Sequence, residues 1–194
     1  RSRDGLMIRS IWPALLTLAT VTPLAAQNGR EQFVQTDTAL DAAHAVQQAA
    51  FIVLRDSTST ISAAGARLMS DLTPSSSLEW MRTRARAVAS ACARSEAPLA
   101  TARAVTGQGQ WTSDQRKQAQ ANLLKAMPGF ADELKECRKR WSALAMDTSQ
   151  VSLRESAPYQ MQQLLTKLDR FNQTARTYLR SIGVKLPPPG ATKP

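Results

Sequence analysis

The sequence predicts an all-α protein, an antiparallel four-helix-bundle-like domain, and three observations carry that expectation. Apolar residues recur at steps of three and four along three long stretches and more loosely along a fourth, the spacing that gathers them on one helical face. Glycine and aromatic residues are few, whereas Ala, Leu, Gln and Arg, all good helix formers, abound. Turn-forming residues concentrate in short windows around 73–75, 107–112 and 147–152, and such short connections favour antiparallel neighbours.

The first segment, 1–26, has the pattern of a signal peptide. Met7-Ile8-Arg9 opens a short basic region, Ile11 to Leu24 carries no charge, and Leu24-Ala25-Ala26 supplies small residues before Gln27. Its apolar stretch, interrupted by Pro13 and Pro23, falls short of the ~20 residues that span a bilayer comfortably. A cleaved signal is the expectation; an uncleaved signal-anchor, tethering the chain through residues 7–26, is its rival. Residues 27–37 read as an extended N-terminal arm, 38–183 as the bundle and 184–194 as a Pro-rich tail, since "LPPPGATKP" cannot continue a helix.

Within the bundle we expect helices near 38–72, 76–106, 113–146 and 153–183. On the first, Val46, Ala50, Val53, Ile61, Ala64, Leu68 and Leu72 form a loose stripe, and "RDSTSTIS" (55–62) has poor helix propensity and is expected to fray or bend. Leu78, Met81, Ala85, Val88, Cys92, Leu99 and Ala102 make the second seam. Leu123, Met127, Phe130, Leu134, Cys137, Trp141 and Leu144 make the third, and Met161, Leu164, Leu168, Phe171, Ala175, Tyr178 and Ile182 the fourth. Ser76 with Glu79, and Ser152 with Glu155, have capping-box spacing. Gly107 and Gly183 stand where helices end through a left-handed residue.

Cys92 and Cys137 are the only cysteines, and in an oxidising compartment a pair on facing seams forms a disulfide. A straight hairpin with both helices ending level would leave them out of register by about 16 Å along the axis, whereas bridged α-carbons lie within about 7 Å. Pro98 and Pro128 mark where a helix would break or kink to close that gap.

Catalytic chemistry is scarce. His44 is the only histidine, so any Ser–His–acid or Cys–His arrangement would have to use it. No Cys-x-x-Cys-His, Glu-x-x-His pair, glycine-rich phosphate loop or zinc-ligand set appears. Asp132, Glu133 and Glu136 interleave with Lys135, Arg138, Lys139 and Arg140, the pattern of a salt-bridged surface. We therefore expect no enzyme, no cofactor and no metal.

Charge points to a binding role. The chain carries a formal +10, and removal of residues 1–26 leaves 22 basic and 14 acidic side chains, a net +8. Export makes nucleic acid an unsuitable counterpart; an acidic protein face or a lipid-headgroup surface fits. Arg82, Arg84, Arg86, Arg138, Lys139 and Arg140 form a candidate docking patch, with Trp80 and Trp111 as candidate interface aromatics and Trp141 as core.

"WTSDQRKQAQANLLKAM" (111–127) is similar to the Leu-Thr-x-x-Gln segment that opens a helix in the small periplasmic Spy-type chaperones. Thr112 and Gln115 match; Trp111 replaces the leucine, and only one copy is present. The resemblance implies a basic, all-helical binder, while Thr-x-x-Gln is equally a capping box. The expectation is thus a non-enzymatic helical protein, periplasmic or extracellular and either free or membrane-attached, acting as an extrinsic accessory or scaffold subunit of a membrane-associated complex. A Spy-like chaperone or stress protein is the alternative, and a haem or small-ligand bundle the third.

Overall fold

The computed structural model describes the backbone of residues 24–187 and the side chains of residues 40–187. Four helices follow in order: α1 Leu24–Asp71, α2 Leu78–Gln108, α3 Asp114–Met146 and α4 Gln150–Ser181, with no strand among the described residues. The chain divides into two units, Arg1–Asp37 and Thr38–Pro194, and the bundle belongs to the second. Residues 27–37, expected to be extended, are helical and lie within α1; three Gln, Arg30 and Glu31 favour helix there and no proline interrupts it. The expected signal or anchor falls almost wholly outside the described residues, as does the tail beyond Pro187. No helix among the described residues is long and apolar enough to cross a membrane.

Contacts between neighbours run antiparallel around the bundle. Phe51 meets Tyr178 and Gly65 meets Met161, pairing α1 with α4. Gln47 reaches the Val105 carbonyl and Asp71 pairs with Arg84, joining α1 to α2. Cys92–Cys137 and Gln120–Thr106 join α2 to α3. Phe130 stacks on Phe171 with ring centroids 4.1 Å apart, joining α3 to α4. This is the expected all-α bundle.

The third and fourth seams are buried at every named position, and the second at all but Leu78, which is partly buried. The first holds in part: Ala50, Ile61 and Leu68 are buried and Ala64 and Leu72 pack partly buried against the core. Val46 and Val53 are 51% and 56% exposed, while the face turned inward carries Gln47, Phe51, Leu54, Thr58, Ile61, Gly65 and Leu68. That row steps by four and three throughout, but three of its members are polar or lack a side chain.

Three local expectations also change. The "RDSTSTIS" stretch stays helical because Leu54, Thr58 and Ile61 are buried against the bundle, while Ser57, Thr58, Ser59 and Thr60 each satisfy their hydroxyl on the carbonyl three residues back. α2 and α3 run unbroken through Pro98 and Pro128, and α4 through Pro158. A proline inside a helix costs about 3 kcal/mol. Breaking α2 there would instead separate buried Cys92 and Ser95 from buried Leu99 and Ala102. The caps shift too. Ser77, not Ser76, accepts from the Trp80 amide, and Ser149, not Ser152, caps α4. Ser113, not Thr112, stands at the α3 N-cap. Gly107 lies inside α2, whereas Gly183, at φ 80°, does end its helix in the left-handed region.

What closes the cysteine gap is an offset, not a kink. Cys92 lies 16 residues before the end of α2 and Cys137 lies 23 residues after the start of α3. The first turns of α3 therefore project beyond α2 by about seven residues, ~10 Å along the axis. Gly109 and Ser113 have extended dihedrals. Six steps of chain between Gln108 and Asp114 reach roughly 20 Å, enough to climb the offset and cross to the next helix axis, ~8–10 Å away.

Candidate functional site

At the projecting end of the bundle, Trp111 fills the place that another turn of α2 would occupy. Its ring stacks on His44 of α1 with centroids 5.9 Å apart, and it lies so close over Gly109 that a Cβ there would sit 2.8 Å from the indole nitrogen. Trp111 is 7% exposed, so this candidate interface aromatic belongs to the protein's own core. It is a linker residue, and composition alone gave no sign that the linker would cover the bundle end.

Polar atoms gather beneath it. His44 Nε2, Gln47 Oε1, Trp111 Nε1 and Tyr178 Oη are all buried and lack partners with hydrogen-bond geometry. Burial pushes the Tyr178 phenol up to about 12, and the nearby Trp111 indole N–H opposes that rise. The indole thus stands close enough to act on the phenol electrostatically, although the pair does not meet hydrogen-bond geometry. His44 is held by stacking, and Gln47 donates to the Val105 carbonyl at 2.8 Å. Among the described residues, no group of three or more His, Cys, Asp or Glu stands close enough to share a metal ion.

The expected basic patch is distributed around the bundle. Arg82 donates to the Asp147 carbonyl at 2.9 Å, and Arg84 pairs with Asp71 at 3.5 Å while lying over the Trp80 ring. Trp80 is partly buried beneath that guanidinium and packed against the core. Arg86 pairs with Glu79, Arg138 with Glu96, and Arg140 with Glu133 and Glu136. Lys139 is exposed. Only Arg86 and Arg138 line one depression. The acid-rich turn of α3 is the salt-bridged surface its spacing suggests: Lys135 pairs with Asp132, and Lys167 of α4 reaches Glu133.

A more coherent surface lies on the outer side of α2 and α3, where neither α1 nor α4 packs. A groove of about 780 Å³ runs between the two helices. Ala97, Ala100, Ala104 and Gly107 form its α2 wall, and all four are exposed. Their spacing of three, four and three keeps them on one face. Leu124 and Ala131 form the α3 wall, and the buried Leu99 and Met127 form the floor. Arg103 and Lys135 stand on its rims. Glu96 and Arg138 face each other at 3.5 Å near one end, an ion pair without a formed hydrogen bond at Glu96 Oε1. A second depression, lined by Ala89, Ala93, Arg138 and Met146, the last 73% exposed, lies between the same two helices.

Helical spacing alone could have found this wall: Ala93, Ala97, Ala100, Ala104 and Gly107 share one face that flanks the Cys92–Leu99–Ala102 seam. Small residues give weak hydropathy, so the stripe is quiet beside the core seams. No protein-family model, curated protein or solved structure matches this chain.

Proposed function

We propose that this is a non-enzymatic, exported helical protein that binds other proteins, an extrinsic accessory or scaffold subunit of a membrane-associated complex on the periplasmic or extracellular side. The α2–α3 groove carries the reading. Its small-residue wall lets another backbone approach closely, its floor is apolar, and its rims bear Arg103, Lys135 and Arg138. An amphipathic helix with acidic flanks complements that surface, its apolar side chains entering the groove and its carboxylates meeting the rims. The Cys92–Cys137 bridge beside the groove supports the oxidising compartment that the N-terminal pattern suggests.

The test is co-purification from detergent-solubilised membranes of the source cell, comparing the full chain with an Ala100→Trp variant that fills the groove at an exposed position. The expected result is a stoichiometric membrane partner with the unchanged chain and its loss with the variant, whose melting temperature is unchanged. A chain that recovers free of partners and instead suppresses aggregation of unrelated proteins would replace this reading with the chaperone one.

A further inference from the structure

A second surface, on the opposite side of the bundle, has a different chemistry. α4 ends in a paired turn: Gly183 N–H donates to Arg180 and Val184 N–H to Leu179, at 3.1 and 2.9 Å, the Schellman arrangement. That turn sends the chain back as a short strap against α1. Gln48 donates to the Lys185 carbonyl at 2.7 Å and Arg55 to the Pro187 carbonyl. Both strap carbonyls therefore face α1. Between strap and α4 lies a pocket of about 460 Å³, lined by Arg55, Arg176, Leu179, Arg180, Lys185 and Leu186 among others.

Cations without a carboxylate partner, such as Arg67, Arg94 and Lys125, occur elsewhere on the described surface, but here three of them line one pocket. Arg84, Arg86, Arg138 and Arg140 each have a carboxylate partner. Asp56, next in the chain to the lining residue Arg55, is occupied by it, with 2.7 Å between them. Arg176, Arg180 and Lys185 have no carboxylate partner among the described residues. Three like charges held close by one helix turn and one anchored strap repel one another unless an anion joins them. Arg176 and Arg180 are one turn apart on α4, so their guanidinium groups can both meet one tetrahedral oxyanion, and such charge-assisted bonds are the strong kind. Leu179 and Leu186 add an apolar wall that a bare hydrated ion does not need.

We propose that this strap pocket binds a phosphate-type oxyanion, through Arg176, Arg180 and Lys185. The same chemistry is offered by a free phosphate compound and by a phospholipid headgroup, and the experiment separates them. Inorganic phosphate is titrated calorimetrically into the full chain. In parallel, the chain is sedimented with vesicles of phosphatidylcholine, with and without about 30% phosphatidylglycerol, at roughly physiological salt. The Arg176→Gln/Arg180→Gln double variant is compared with Arg67→Gln/Lys125→Gln, which removes equal charge from exposed positions elsewhere.

Binding in either arm that falls about tenfold or more in the first variant and less than threefold in the second supports the site. Phosphate binding then points to a free anion, and binding confined to anionic vesicles points to a headgroup. Equal losses in the two variants would show attraction by net charge alone and overturn the proposal, as would no binding in either arm. Unchanged circular dichroism melts confirm that both variants fold. The pocket is separate from the α2–α3 groove, so either reading can fail without the other.

Discussion

The α-carbons of Cys92 and Cys137 stand 6.2 Å apart across a hairpin whose two helices do not end level. The bridge closes a loop of 45 residues in sequence, and the chain-entropy relation assigns such a loop about 4 kcal/mol of stabilisation. It also fixes the register that lets α3 project past α2. Reduction, or Cys92→Ala with Cys137→Ala, should therefore lower the melting temperature by roughly 8–16 °C while the chain stays helical. Circular dichroism with and without reductant measures this. A shift under 3 °C would mean that packing alone sets the register.

Gly65 faces Met161 where α1 meets α4, and a Cβ on it would lie 2.4 Å from the Met161 sulfur. Gly65→Ala gains about 1 kcal/mol in helix propensity and loses ~1–3 kcal/mol to overpacking. A net loss of about 1 kcal/mol is expected. Met161 is fully buried and flexible, so Met161→Ala should itself cost about 2–5 kcal/mol. Because the added methyl occupies part of the space the sulfur leaves, the double variant should be more stable than the two losses predict by about 1 kcal/mol or more. Urea denaturation of all four proteins checks it; strict additivity would place Gly65 and Met161 out of contact.

How much of this was legible beforehand depended on what each helix puts in its seam. α3 and α4 use bulky apolar residues at nearly every inward position, and their seams read true from Leu123 to Ile182. α1 puts Gln47, Thr58 and Gly65 inward and leaves Val46 and Val53 in solvent, so hydropathy found Ala50, Ile61 and Leu68 but missed the polar half of the seam. Thr58 is tolerated there because its hydroxyl donates to the Arg55 carbonyl. Pro98 and Pro128 looked like breaks because a local penalty is visible in sequence and the burial on both sides of it is not. The α2–α3 groove and the strap pocket depend on which helices are neighbours, and no single stretch encodes that.

Asp147, between α3 and α4, accepts from the Ser149 amide at 2.8 Å and from the Ser152 hydroxyl at 3.0 Å. The backbone bond from Ser149 is the largest cause holding its carboxyl below the ordinary value, followed by Ser152, with Arg82 adding a smaller pull. A carboxyl with a depressed folded value stabilises the fold above its unfolded value, near 3.8, and that contribution is lost as pH falls through the folded one. Asp147→Asn should therefore melt below the unchanged protein at pH 6, and the gap should narrow as pH drops below 4. Melting curves across pH 2–7 test this. A gap independent of pH would assign the loss to packing.

Tyr178 gives the opposite sign at the alkaline end. Burial raises its phenol to about 12, so between its ordinary value near 10 and that value the unfolded chain releases a proton that the folded chain keeps. Stability from this residue is complete below pH 10 and declines as pH rises through 12. Tyr178→Phe keeps the ring against Phe51 and removes the ionisable group, so it should flatten that decline. It also removes one of the unpartnered atoms beside Trp111, and burial of an unsatisfied hydroxyl costs ~1–3 kcal/mol. The variant is expected to match or exceed the parent in stability at pH 7 and to exceed it clearly at pH 11. Urea midpoints at the two pH values decide it: a variant weaker at both would mean that the phenol is hydrogen-bonded in solution and that the cluster around His44, Gln47 and Trp111 is a satisfied network.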